Sequence, residues 1–290
     1  MKIAVLADVH SNYIALSTCL DEAKKKGAEE FIFLGDYLGD LAYPRKTLDI
    51  LYELRKQYPC TFIRGNKENY WINHRKDMEE VWEYGKTTQG MLKYNYDQLT
   101  DSDIDFFEEM PIVKEMKYAG MPEFTVCHGS PFKVNQSMRK DYDYIDDLVK
   151  ELPNELTICA HFHIQSIYVR FGKTVINPGA IGVPLHSGGK AQFMMLESGE
   201  IDWKYEFVAL AYDVPKTLEG MDKEELFAKA PGWYKITKHL LTTGEVSHVA
   251  ALSHVADSYC ASHGECTWDD IPEDYWSKQL EVLLGENATC

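Results

Sequence analysis

Seven residues in this sequence have types and spacing that can do chemistry: Asp8, His10, Asp36, Asn66, His128, His161 and His163. Imidazole nitrogens with carboxylate and amide oxygens are metal-ligand donors. Seven of them exceed what one four-coordinate ion takes. The mixture suits Zn, Fe or Mn better than the all-oxygen cages of Mg or Ca. A carboxylate that serves two ions can hold them roughly 3.5–4 Å apart, a separation that clamps both oxygens of an in-line displacement. The expectation is a dinuclear centre bridged through one acidic residue. Taken singly, Asp8 and Asn66 fit ordinary loop caps, and His128 and His161 fit packed histidines. The joint pattern is what favours ligands.

The elements that must position these donors are short strands. Residues 2–7, 31–34 and 60–63 read as buried strands separated by helical runs, a βαβαβ opening that predicts parallel pairing. Ser11 and Asn12 can cap a helix with Ala15, Leu16, Cys19, Leu20 and Ala23 on one face, and Pro44 suits the first turn of a helix bearing Leu48, Leu51 and Leu54. Residues 69–110 read as mostly helical, with Thr100 and Asp103 spaced as a cap. Further strands are expected at 112–118, 124–127, 156–160, 166–171, 174–176, 191–196 and 201–207, with hairpin turns at Gly172 and Gly199 and a helix over 142–152. Every donor then follows the carboxyl end of a strand. That rim is where α/β sheets bind ligands, and strand ends hold side chains accurately enough for coordination.

Beyond Val208 the pattern changes to helical runs at 223–229, 234–241, 246–263 and 272–284. The expected organisation is a core over 1–207 and a helical appendage over 208–290 packed on it. All the donors precede the appendage, so it is expected to shape substrate access rather than the metal centre.

At 290 residues the chain buries enough surface to fold without a structural metal, so a bound metal serves chemistry. A formal charge of −16 argues against a nucleic-acid polymer as partner, whereas a small phosphorylated substrate is compatible with it because bound cations reverse the local sign. Seven cysteines, the last at Cys290, fall without a regular framework, which suits a reducing compartment. No stretch approaches the ~20 apolar residues of a membrane span. These features together read as cytoplasmic, and they leave the oligomeric state open.

The ordered motifs Asp8-Val9-His10, Gly35-Asp36, Gly65-Asn66-Lys67-Glu68, His128-Gly129 and His161-Phe162-His163 resemble those of the calcineurin-like metallophosphoesterase superfamily. The segment from Ile176 to Gly182 is similar to a stretch of its small bacterial phosphodiesterase-like branch. The resemblance covers residues 1–207. It implies an α/β fold of four layers, an α/β/β/α sandwich of two mixed sheets with helices outside. It also implies a hydrolase with two divalent or trivalent transition-metal ions (Mn, Fe or Zn). By resemblance, Asp8, His10 and His163 bind one ion, Asn66, His128 and His161 the other, and Asp36 bridges them. The implied activity is hydrolysis of phosphoester or phosphoanhydride bonds on a small nucleotide-like substrate. A phosphomonoesterase or a non-catalytic scaffold on the same fold are the alternatives.

Lys67 stands where the family often has His, so it is expected to reach a phosphoryl oxygen and lend charge rather than a proton. Phe162 departs from the family pattern and could narrow the pocket. Arg64 and His186 are candidate substrate contacts that also fit structural and solvated roles. Tyr37, Asp40 and His74 are similarly ambiguous. Cys260, His263 and Cys266 have zinc-like spacing without a completing cluster, and a packed or solvated helix is the better reading.

Overall fold

The computed structural model describes residues 1–78 and 81–285; Glu79, Glu80 and residues 286–290, with Cys290, lie outside the described residues. The opening folds as β1 (Lys2–Leu6), α1 (Tyr13–Lys25), β2 (Glu30–Phe33), α2 (Pro44–Gln57) and β3 (Cys60–Phe62). Helices α3 (Asn66–Arg75), α4 (Gly90–Tyr96) and α5 (Asp101–Glu109) follow. The stretch expected to be mostly helical is therefore interrupted between Arg75 and Gly90. Next come β4 (Val113–Met116), β5 (Phe124–Cys127), α6 (Ile145–Glu151), β6 (Leu156–Ile158), β7 (Ser166–Arg170), β8 (Lys173–Asn177), β9 (Ala191–Ser198) and β10 (Trp203–Leu210).

Two mixed five-stranded sheets result, in the orders β10-β9-β1-β2-β3 and β4-β5-β6-β8-β7. The β1–β2 and β2–β3 pairs are parallel, and β9 joins β1 antiparallel. The period-2 alternation of side chains explains the layering. Ile3 and Val5 of β1, with Ile32 and Met194, face Phe124, Val126, Ile158 and Ile176 of the other sheet. Ala4, Leu6, Phe31 and Phe33 point the other way, onto Leu16 and Cys19 of α1 and Leu48 and Leu51 of α2. On the far side, Cys127, Cys159 and Val175 pack against Ile145, Leu148 and Val149 of α6. The order helix, sheet, sheet, helix is the four-layer sandwich.

The C-terminal helices are α7 (Val214–Lys223), α8 (Leu226–Lys229), α9 (Pro231–Thr243), α10 (His248–His263) and α11 (Glu273–Leu283). Helix α7 starts nine residues before the run expected at 223, with Asp213 capping it through Lys216 N and Pro215 in its first turn. These helices share an apolar core of their own around Ile236, Leu252, Val255, Trp276 and Leu280. They dock on the sandwich where Met221, Leu226, Leu240 and Leu241 meet Leu41, Ala42, Met91 and Tyr94. Cys260 and Cys266 are joined in a disulfide, with α10 ended at Gly264 (φ 91°) between them. This departs from the reading of cysteines without a framework in a reducing compartment, and it removes both from any zinc site. Cys19, Cys60, Cys127 and Cys159 are free thiols. Among the described residues no helix is long and apolar enough to cross a membrane.

Candidate metal centre

The expected donors converge at one rim of the sandwich because the strand ends lie side by side and the loops after them are cross-tied. Asp8 N donates to Gly35 O (3.1 Å), His10 N to Asp36 O (3.0 Å) and Gly182 N to Asp8 O (2.9 Å). Ala160 N donates to His128 O (2.7 Å), and Leu185 N to His163 O (2.9 Å). These ties hold an unusual backbone: Asp8, His10, Asp36, His161 and His163 all have φ between 48° and 76°. The left-handed region costs a side-chain-bearing residue roughly 1–2 kcal/mol. Five such residues in one cluster persist only where the surroundings over-determine them, a pattern found at functional sites.

Gly35 and Gly65 make this crowding possible. Gly35 has φ 95°, and a Cβ there would lie 2.5 Å from Gly65 N. Gly65 has an ordinary φ; a Cβ on it would lie 2.2 Å from Asp36 Oδ1. Its need is for close approach. Buried Glu68 ties the loops after β2 and β3 by accepting from Gly65 N (2.8 Å), Asp36 N (3.0 Å) and Tyr37 N (2.9 Å). Burial, reinforced by the Asp36 charge, pushes its carboxyl up to about 7. Replacing Glu68 with Gln turns an amide N–H toward at least one of these donors. That should cost about 2 kcal/mol, read as a lower denaturation midpoint at constant m-value; an unchanged midpoint would deny Glu68 this role.

The ligand atoms fall into two groups. Those of Asp8, His10 and His163 lie within 4.8 Å of one another, and so do those of Asp36, His128 and His161. Asp36 faces both: Oδ1 is 3.5 Å from His128 Nε2, and Oδ2 is 3.8 Å from His10 Nε2. His128 Nδ1 donates to Leu34 O at 2.7 Å, which leaves Nε2 turned to Asn66 Oδ1 at 2.9 Å and open to a metal. His10 Nε2 and His163 Nε2 face each other at 3.3 Å, and buried Asp8 Oδ1 has no hydrogen-bond partner. Ring nitrogens and oxygens crowded together, with an orphaned carboxylate oxygen among them, form an arrangement that bound cations would resolve. Burial works to raise the Asp8 carboxyl, but His163, His128 and His10 outweigh it and hold it at about 2. Burial and neighbouring His128 push His161 down to about 4, which keeps its imidazole neutral and able to ligate. The donors present fit a two-metal site.

The sequence reading left Asp40 ambiguous and missed the rest of the layer behind the ligands. Asp40, 2% exposed, places Oδ2 3.1 Å from His10 Nδ1 and 3.7 Å from His248 Nδ1. Its Oδ1 accepts from Lys67 Nζ (3.2 Å) and Trp233 Nε1 (3.2 Å). Trp233 stacks on His248 at 4.5 Å, and His248 Nε2 meets Thr237 Oγ1 at 2.8 Å. The C-terminal helices therefore reach a candidate ligand through one carboxylate, where the sequence suggested that they serve substrate access alone. Asn95 joins the same layer by accepting from Ser11 Oγ (3.1 Å) and donating to Gly39 O (2.6 Å). Asn177 Nδ2 donates to Ala160 O (2.8 Å), which explains part of the notable 176–182 segment. Buried polar side chains so far apart in sequence leave no local signal.

The remaining candidates are dispersed. Lys67 is paired with Asp40, lies over the Trp233 ring at 4.8 Å and lines a pocket beside the centre. Phe162 packs against the apolar cluster behind the second sheet. His186 is largely exposed and pairs with Glu245 at 3.4 Å. Arg64 is held by its backbone to Pro111 O (2.9 Å), and none of these last three lines that pocket. His74 stacks on Trp82 at 4.0 Å, and Tyr37 is buried with its hydroxyl on Ile63 O (2.7 Å). Both are structural in this arrangement.

A family model described as the calcineurin-like phosphoesterase superfamily domain matches residues 1–200. An uncharacterized protein, MJ0912, of Methanocaldococcus jannaschii is 25% identical over 246 residues, covering 80% of this chain and 94% of its own. The hypothetical protein PH1004 of Pyrococcus horikoshii superposes with a TM-score of 0.71 at 22% identity, over 85% of this chain and 99% of that one. A metallophosphoesterase from Sphaerobacter thermophilus gives 0.66 at 20% identity, over 84% and 100%. The family match spans more than half of the chain and includes every residue of the two ligand groups. The chain belongs to the calcineurin-like phosphoesterase superfamily and is a hydrolase of the metallophosphoesterase class.

Proposed function

We propose that this protein hydrolyses a phosphoester or phosphoanhydride bond of a small nucleotide-like substrate at a dinuclear centre. Asp8, His10 and His163 hold one ion, Asn66, His128 and His161 the other, and Asp36 both. The observation that carries this reading is Asp36, whose two oxygens each turn toward a different ligand group. The ions, when bound, supply an activated water near neutrality and positive charge for the phosphoryl oxygens. The chain's own contribution is to hold the donors in place, through the cross-tied strand-end loops, before substrate arrives. Residues 1–207 form the hydrolytic core in this reading, and 208–290 form the appendage that supports and covers it. Incubation of Mn-loaded protein with bis(p-nitrophenyl) phosphate and p-nitrophenyl phosphate tests it. Turnover of either is expected, and inertness toward both with Mn, Fe and Zn would refute hydrolysis.

Lys67 adds fixed charge at the rim. Burial pulls its ammonium down, but Asp40 and Asp36 outweigh burial and leave it above the usual lysine range. A lysine so held is a poor proton donor near neutrality and a good electrostatic partner for a phosphoryl oxygen. Lys67→Met should lower the rate roughly 10²-fold, equally for substrates with good and poor leaving groups. A loss confined to poor leaving groups would assign proton donation instead, and an unchanged rate would remove Lys67 from the mechanism.

A further inference from the structure

A pocket of about 370 Å³ opens beside the ligand cluster, a volume within the range of small-molecule sites. Gly39 and Lys67 form the wall it shares with the centre. A Cβ on Gly39 would lie 3.0 Å from His10 Nδ1, and Lys67 N donates to Asp36 Oδ1 at 2.8 Å. A molecule in this pocket is therefore next to the metal-binding rim.

The other walls are aromatic, and their rings fall into two kinds. Trp82 is nearly buried with His74 stacked on it, and Trp233 carries His248 and Lys67. Tyr70 and Trp268 differ: they are 38% and 40% exposed, and neither has a ring stacked on it among the described residues. Exposed aromatic faces gathered in one pocket mark a binding surface. The lining beside Trp268 is polar. Asp269 Oδ1 accepts from Thr88 Oγ1 (2.8 Å) and Gln89 Nε2 (3.0 Å), while no hydrogen bond to Oδ2 is recorded among the described residues. A carboxylate oxygen there repels a second anionic group and accepts an N–H. The pocket thus has cationic character from Lys67 on the wall it shares with the centre, flat apolar faces from Tyr70 and Trp268, and an acceptor at Asp269.

We infer that this pocket binds the nucleobase of the substrate, stacked on Trp268 and Tyr70, while the phosphate lies on the metal-binding rim. The inference rests on the phosphoester reading above and adds the group that is recognised. A nucleotide matches all three features, with its phosphate toward Lys67, its planar base on the exposed rings and its N–H donors toward Asp269; a sugar phosphate or a dicarboxylate offers no flat face to the rings. Trp268 and Asp269 belong to the 3-10 turn Trp268–Asp270 between α10 and α11, so the C-terminal helices set the specificity of a centre built by the sandwich.

Two diesters with the same leaving group separate recognition from hydrolysis: thymidine 5′-(p-nitrophenyl) phosphate and methyl p-nitrophenyl phosphate. Manganese-loaded protein should prefer the thymidine ester in kcat/KM. Trp268→Ala should reduce that preference about 10-fold, as expected for loss of one base-stacking ring, and Tyr70→Ala should reduce it in the same direction. Equal kcat/KM for the two esters, or a preference untouched by both substitutions, would overturn the inference while leaving the hydrolase reading intact. If neither ester is cleaved, hydrolysis of diesters fails while the pocket remains testable by binding. The pocket is then decided by calorimetry with thymidine 5′-monophosphate against ribose 5-phosphate. Tighter binding of the nucleotide that Trp268→Ala abolishes supports it, and equal affinities overturn it.

Discussion

Purified protein is expected to carry about two transition-metal ions per chain, and Asp36→Asn is expected to be the most damaging single substitution at the site. The exchange keeps the shape of the side chain and removes its charge. Each Asp36 oxygen faces a different ligand group, so both ions lose affinity together, whereas His163→Ala strikes chiefly one. The loss in kcat/KM should be about 10³-fold or more, since removal of a single charge-stabilising donor already costs 10²–10³. Metal analysis of the variant should find well below one ion per chain after dialysis against chelator, with Mn, Fe or Zn restoring the wild-type protein but not the variant. A metal-free preparation with full activity would defeat the dinuclear assignment, and an Asp36→Asn protein that keeps both ions would defeat the bridging role.

The second large effect is expected from the contact between the C-terminal helices and Asp40. A carboxylate that orients a ligating imidazole is worth 10–100-fold in metal affinity or activity in comparable sites. Asp40 stands 3.1 Å from His10 Nδ1 and is itself held by Trp233 and Lys67. Burial works to raise its carboxyl, but Lys67, His10 and His248 outweigh it and hold it well below the usual range, so it faces His10 as an anion. Asp40→Asn should therefore weaken one ion about 10-fold to 100-fold and leave the group of Asp36, His128 and His161 closer to wild type. Trp233→Phe keeps the ring on His248 and removes only the indole N–H; a smaller loss at the same site is expected. Stepwise chelator titration with metal counting distinguishes these outcomes. Two ions released at wild-type concentrations from both variants would reduce the contact to packing. Truncation after Phe207 is a harsher test: it removes Trp233 and His248, cuts β10 three residues before its end and exposes Leu41, Met91 and Tyr94. It should yield an aggregation-prone core.

The strands and the ligand types were legible in the sequence because both are local properties. All ten strands among the described residues lie where apolar runs and turn residues put them, within about two residues at most ends, and the buried face of α1 is the expected Ala15, Leu16, Cys19, Leu20 and Ala23. Asn12 caps α1 through Ala15 N, and Thr100 with Asp103 forms the expected capping box. Strand ends then carry Asp8, His10, Asp36, His128, His161 and His163 to one rim, because a sheet aligns its strand ends whatever the loops do.

Only the tertiary structure decided how the donors are held and what stands behind them. The left-handed backbone at five donors exists because neighbouring loops tie it there, and no property of Asp or His alone announces it. Asp40 and Trp233 are 193 residues apart, and Lys67 and Trp268, which line one pocket, are farther apart still, so no periodicity links them. The pairing of Cys260 with Cys266 likewise depends on the turn at Gly264. Local patterns select strands, caps and donor types, since these follow from each residue's own geometry and its near neighbours. The layer behind the ligands and the aromatic pocket depend on which buried polar and apolar faces meet after collapse, and that is decided by packing between distant segments.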